Sequence, residues 1–252
     1  MISMGPHNIA KILQCPEATR KAYDDSKSIP LNGHGGTSHG TDSEGRMLPE
    51  WVEIRSKKGN LFHAFLQYCA VKKDGFSSAK QLISKCYELN DWTDEFKAEM
   101  LGVDKKLEFI DYSKNRAKNL QFNLEDFESF FQYDFPEDYT KVTWSHEEEI
   151  TGQFETPIGF WKTRGYIDLY GKINDKIYLI ELKSKEDVTS PKEEWKNQLV
   201  IYEKMLPNMA KSYVFWPLDT YEISERDHVN FDKKFDEEIS CEGCYLCKDH
   251  LR

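Results

Sequence analysis

The spacing of apolar positions changes twice along the chain. From Gly59, "GNLFHAFLQYCAVKK" carries apolar side chains at 61, 62, 65, 66 and 69, the spacing of a helix with one buried face and His63 in its first turn. Through 77–133 a similar period runs in sequence rich in Lys, Glu and Phe with few breakers, which predicts three or four helices. The pattern then shortens. "KVTWSHEEEI" (141–150) is strand-like, and "GYIDLYGKINDKIYLIELKSK" (165–185) sets two apolar runs around Asn174-Asp175, a hairpin signature. Next, "SPKEEWKNQLVIYEKML" predicts a helix with Ser190 as N-cap, Pro191 at its first position and Glu193 completing a capping box. Trp195, Leu199, Tyr202 and Leu206 make its apolar stripe. "KSYVFWPL" (211–218) reads as another strand, and a polar helix leads into "CEGCYLCKDH". At the start, residues 8–25 read as a short helix carrying Cys15, and 28–46 as a Gly/Ser/His-rich loop holding His34 and His39. The order helix, strand, strand, strand, helix, strand is α/β.

Length narrows this little: 252 residues suit one large domain, 1–252, with the 77–133 helices as an insertion. No apolar run approaches the roughly 18 residues that cross a bilayer, and the N-terminal stretch has no signal-type apolar block. The expectation is a cytoplasmic protein without a membrane partner. A net charge of −10 argues against coating nucleic acid by global charge, but leaves room for a local basic groove.

The hairpin carries the chemistry. Asp168 lies six residues before the Asn174-Asp175 turn and Glu181 six after it, so the two carboxylates fall opposite one another near one end of the sheet. Such a pair repels unless a cation intervenes, and hard oxygen donors suit Mg²⁺ or Mn²⁺. Lys183 follows Glu181 at period two, on the same face, where an ammonium can orient a water or offset charge on a phosphate. The neutral imidazole of His63 is a candidate further ligand. Gln198 and Tyr202, spaced i, i+4, project side by side from the next helix. Glu149 is a candidate supporting carboxylate.

These pieces, "GNLFH", "GYID", "ELK" and "QLVIY" in that order, resemble the RecB-like branch of the PD-(D/E)XK nucleases. The resemblance spans 59–202 and implies a restriction-endonuclease-like core, a mixed sheet flanked by helices. It further implies metal held by His63, Asp168, Glu181 and the main-chain carbonyl of Leu182, with Lys183 catalytic and Gln198 and Tyr202 contacting substrate. The implied activity is a deoxyribonuclease acting as an exonuclease, with single-stranded DNA ends preferred. Phe130, Phe131, Tyr133 and Trp161 are candidates to stack on bases, and Lys114, Arg116 and Lys118 to follow the phosphates. A nuclease-fold scaffold that binds DNA without cutting it, and a metal-cluster sensor, are the alternatives.

Six cysteines refine the branch. Cys69 and Cys86 lie in helical sequence and read as buried small apolar residues. Cys241, Cys244 and Cys247 form a C-x2-C-x2-C run like part of a ferredoxin site. Cys15, followed by proline and then basic and aromatic residues, is similar to the N-terminal cysteine of iron–sulfur RecB-like nucleases. The resemblance therefore implies a 4Fe-4S cluster stapling 1–25 to 235–252. The last cysteine interval is shorter than in those families, and zinc on the three C-terminal thiolates with His250 or Cys15 is the alternative. That branch includes CRISPR-associated spacer-acquisition exonucleases and AddB-type helicase–nucleases, which implies work in CRISPR adaptation, recombination or repair beside adaptation proteins or a helicase.

Overall fold

The computed structural model describes residues 2–4, 6, 50–105, 107, 116–156, 159–184, 188–217 and 219–236. The short helix expected at 8–25, His34, His39, Lys114, His250 and four of the cysteines, Cys15, Cys241, Cys244 and Cys247, lie outside them.

Among the described residues the chain forms strand β1 (Ile2–Met4), helices α1 (Glu50–Val71), α2 (Gly75–Glu88), α3 (Asp94–Val103) and α4 (Arg116–Ser129), and a π turn at Phe130–Asp134. There follow β2 (Thr143–Thr156), β3 (Gly159–Ile173), β4 (Lys176–Leu182), α5 (Glu193–Met205), β5 (Met209–Trp216), β6 (Asp219–Glu222) and α6 (Glu225–Asp236). The strands make one mixed sheet. β2 lies antiparallel along nearly all of β3, whose other edge takes β4 antiparallel at one end and β1 parallel at the other. β5 then adds parallel to β4, and β6 antiparallel to β5. The fold is thus mixed α/β with flanking helices, and no described helix is long and apolar enough to cross a membrane.

Alternation along β4 and β5 builds two cores on the two faces. Tyr178, Ile180, Leu182, Tyr213 and Phe215 pack with α1–α4; Ile177, Leu179, Val214 and Trp216 pack with α5 and α6. The first core is aromatic. Phe127 lies 4.7 Å from Phe215 and 4.8 Å from Phe131, both edge-on, the favoured geometry for such pairs. Phe130 and Phe131 are buried in it, so these two expected base-stacking rings serve the core instead, while Tyr133 is exposed. Trp161 falls in β3, and Arg116 and Lys118 in α4. Cys69 and Cys86 are buried free thiols, as their helical setting suggested.

Local chemistry accounts for the boundaries. Asn174 takes a left-handed φ of 52° at the hairpin turn, which asparagine tolerates. Thr93 caps α3 by accepting from the Phe96 amide at 3.1 Å. Two expected boundaries differ. α1 begins at Glu50, so His63 lies in its interior rather than its first turn. The capping box at Ser190–Glu193 does not form: α5 starts at Glu193 after an extended Lys192 that makes no side-chain cap. Glu193 and Glu194 in its first turn offset the helix dipole by charge instead. The same box logic operates at α6, where Asp227 accepts from both the amide (2.9 Å) and hydroxyl (2.7 Å) of Ser224.

Candidate active site

The hairpin register pairs Leu169 with Ile180, so the next step along the ladder sets Asp168 beside Glu181. Both are buried, at 9% and 5% exposure. Strand β3 breaks its alternation at Asp168: Ile167 belongs to the α5 core and Leu169 to the α1–α4 core. Opposite, Glu147 of β2 has a left-handed φ of 51°, and neither it nor Asp168 has a ladder partner there. Gln67 fills the gap. Its Nε2 donates to the Asp168 carbonyl at 3.1 Å and to Glu147 Oε1 at 3.0 Å.

Asp168 is well supplied with partners. Oδ2 accepts from the Leu182 amide at 2.7 Å, and His63 Nδ1 lies 3.2 Å from Oδ1. Burial opposes its ionisation, yet His63, Lys183 and the Leu182 amide hold its carboxyl below the ordinary range. His63 is raised in turn: burial opposes its charge, but the Asp168 carboxylate outweighs it.

Glu181 is served less well. Oε1 accepts from Lys183 Nζ at 2.6 Å and from Gln198 Nε2 at 3.0 Å. Oε2 is buried with no hydrogen-bond partner, and so is Gln198 Oε1. Burial pushes the carboxyl up to about 7, with Asp168 reinforcing and Lys183 opposing. Burial also works against the Lys183 ammonium, but Glu181 and Asp168 hold its pKa above the ordinary value. Two buried acids and one ammonium thus share the end of β4, and only one acid has its hydrogen bonding complete.

Glycines let the surrounding elements close in. A Cβ on Gly165 of "GYID" would collide with the Tyr202 hydroxyl and the Pro6 ring. That hydroxyl instead donates to the Tyr166 carbonyl at 2.9 Å, anchoring α5 to β3. A Cβ on Gly59 of "GNLFH" would sit 3.1 Å from Ser184 Oγ, just beyond Lys183.

His63, Asp168, Glu181, Lys183 and Gln198 therefore form one connected cluster, with Tyr202 buried beside it. At Leu182 the backbone amide donates to the Asp168 carboxylate. No three His, Cys, Asp or Glu side chains among the described residues converge as a metal-binding group; Asp168 is paired with His63 and Glu181 with Lys183. The unpaired Oε2 of Glu181 still fits a hard cation, which would relieve both its missing partner and its repulsion by Asp168.

The carboxylate that reaches this cluster from β2 is Glu147, through Gln67, rather than Glu149. Glu149 is exposed and occupied by Arg164 at 2.5 Å and the Tyr166 hydroxyl at 2.9 Å. Neither Gln67 nor Glu147 stood out in the sequence. Gln67 had one legible signal, its i+4 spacing from His63 on the same helix.

No family model matches the chain, and no curated protein matches it. Among solved structures, the crystal structure of SSO0001 is similar at 16% identity over 60% of this chain and 78% of that one, with a TM-score of 0.27. A likeness of that size carries no argument, and function is read from the residues themselves.

Proposed function

We propose that the protein is a metal-dependent deoxyribonuclease with a restriction-endonuclease-like core, hydrolysing phosphodiester bonds at DNA ends. The observation that supports this best is Glu181: a buried carboxyl raised to about 7, with one oxygen unpaired, beside Asp168 and hydrogen-bonded to Lys183. A merely structural ion pair has no need of an orphaned oxygen, since each buried polar group without a partner is costly.

Asp168 and Glu181, with His63 and the Leu182 carbonyl, would hold Mg²⁺ or Mn²⁺. Such a cation supplies a more acidic water and neutralises phosphate charge. The protein's own groups divide the remaining work. Lys183 places an ammonium where negative charge develops on a phosphate oxygen. Gln198 fixes the Glu181 carboxylate, and its free Oε1 is available to substrate or water. His63 steadies Asp168, and Tyr202 locks the α5 helix that presents Gln198. The proposal extends to single-stranded ends as preferred substrate, and to a 4Fe-4S cluster on Cys15, Cys241, Cys244 and Cys247, with zinc as the competing metal. CRISPR adaptation, recombination or repair is the proposed setting, with an adaptation protein or helicase as partner.

The test is a cleavage assay on end-labelled single- and double-stranded DNA with Mg²⁺ or Mn²⁺, using anaerobically purified protein and Lys183→Ala. Cleavage by the parent that the variant lacks supports the proposal, and the label reports polarity. Cleavage by neither favours a DNA-binding scaffold, a reading consistent with Lys183 already neutralising Glu181. Cleavage surviving in Lys183→Ala sinks the assignment of this site. Visible absorption together with iron and zinc analysis decides the cluster separately.

A further inference from the structure

Among the described residues, five other than glycine have a left-handed φ: Asp74, Asn90, Glu147, Asn174 and Asn208. Four are Asn or Asp, whose short polar side chains tolerate that backbone, and all four sit in turns. Glu147 is the exception, a long side chain inside β2 with a φ of 51°. Such a conformation is costly and persists only where the surroundings hold it.

Gln67, 2% exposed in α1, is what holds it. An amide nitrogen has two protons, and both find acceptors here: Glu147 Oε1 at 3.0 Å and the Asp168 carbonyl at 3.1 Å. Turning the amide over would set its oxygen against two other oxygens, so the partners fix its orientation. The bond to Glu147 is charge-assisted, the stronger kind. The β2–β3 ladder skips Glu147 and Asp168 together, and at this step Gln67 joins the two strands.

The clamp lies directly behind a carboxylate with two partners. Asp168 Oδ1 faces His63 at 3.2 Å, and Oδ2 accepts from the Leu182 amide at 2.7 Å. The last main-chain pairing of β3 with β4 is Leu169–Ile180, so beyond it the Asp168 side chain, not its main chain, takes the β4 amide. A side chain in that place needs its own backbone held. Gln67 does so from the helix that also carries His63, and the i, i+4 pair thus engages the main chain and the carboxylate of one residue. We propose that Gln67 and Glu147 are positioning residues. Glu147 keeps its strained backbone to lock Gln67, and Gln67 fixes the Asp168 main chain so that its carboxylate stays aimed at His63 and the Leu182 amide. The consequence for cleavage rests on the nuclease reading above; the geometric role does not.

The experiment is nuclear magnetic resonance of the full chain in chelator, reading the Leu182 amide proton. Its bond to a carboxylate oxygen at 2.7 Å places that proton downfield in the parent. Gln67→Leu and Glu147→Gly should each return it upfield, whereas Glu147→Gln, which keeps an acceptor for Gln67, should preserve it. Glycine suits the left-handed backbone, so a loss in Glu147→Gly cannot come from a strained replacement, and that variant carries the test if Gln67→Leu does not fold. The control is the Ile177 amide at the other end of β4, which donates to the Asn208 carbonyl and should not move. In parallel, on end-labelled DNA with Mn²⁺, Gln67→Leu and Glu147→Gly should lose about 10–100-fold in kcat with KM near the parent's. A Leu182 proton unmoved in both variants overturns the proposal, as does an Ile177 proton that moves as far, or Glu147→Gln behaving like Glu147→Gly. Full cleavage by a variant whose Leu182 proton has moved overturns the role in catalysis. A parent that cuts no DNA sinks the nuclease reading alone, and the Leu182 proton still decides the clamp.

Discussion

The two helical layers treat the two buried acids differently. The α1 side satisfies Asp168 fully: His63 faces its carboxylate, Gln67 caps its carbonyl, and the strand's own Leu182 amide takes the second oxygen. The α5 side supplies Glu181 with Gln198 alone, and Lys183 completes only one oxygen. The same contrast holds for the cores, one a dense aromatic cluster and the other mainly aliphatic with buried Asn197, Gln198 and Tyr202 among its helix residues. One layer makes a fixed anchor. The other leaves a carboxylate whose charge depends on what comes to it.

The contrast can be broken most forcefully in the anchor layer. Phe127→Ala removes a fully buried ring at the centre of the aromatic cluster, and should cost about 3–5 kcal/mol of stability in denaturant unfolding. Lys183→Ala should instead leave the fold largely standing while lowering cleavage by about 10²–10³-fold, or roughly 3–4 kcal/mol. An unfolding midpoint reduced as far as that of Phe127→Ala would show that Lys183 is chiefly structural.

The pH dependence sharpens the comparison of the acids. Glu181 has a folded pKa of about 7 against an ordinary 4.5, so the folded state binds the proton more tightly. Its penalty is absent below about 4.5, grows as pH rises and is complete above about 7. In chelator, the parent should therefore lose about 2–4 kcal/mol relative to Glu181→Gln across that window. Asp168, held below 3.8, acts in the opposite sense: its contribution is present above that value and fades only as pH falls through the lower folded pKa. Parallel stability curves for parent and Glu181→Gln between pH 4.5 and 7 would contradict the assignment.

Smaller effects test the β2 side. Gln67→Leu strips the Asp168 carbonyl and Glu147 of a shared donor and should cost about 1–3 kcal/mol. Glu149→Gln touches only an exposed ion pair and should change stability by about 0.5 kcal/mol or less, with cleavage unaltered. Greater damage from Glu149→Gln than from Gln67→Leu would make Glu149, not Glu147, the β2 carboxylate that serves the cluster.

Sequence alone determined the helix-and-strand order, the hairpin about Asn174-Asp175, and the meeting of Asp168, Glu181 and Lys183. All three follow from short-range periodicity: a two-residue turn fixes which positions lie opposite, and period two fixes which face Lys183 shares. The i, i+4 rule likewise set Gln198 and Tyr202 side by side. Tertiary structure decided the rest. That α1 would lay His63 and Gln67 over β3 depends on packing between elements about 100 positions apart in sequence, which no local pattern encodes. The left-handed turn at Glu147, which brings that residue rather than Glu149 to the cluster, exists because β2 and β3 break their ladder together there. The unequal satisfaction of the two acids is also tertiary. Asp168 and Glu181 look alike in sequence, and only the neighbours each layer brings leave one complete and the other with a bare oxygen.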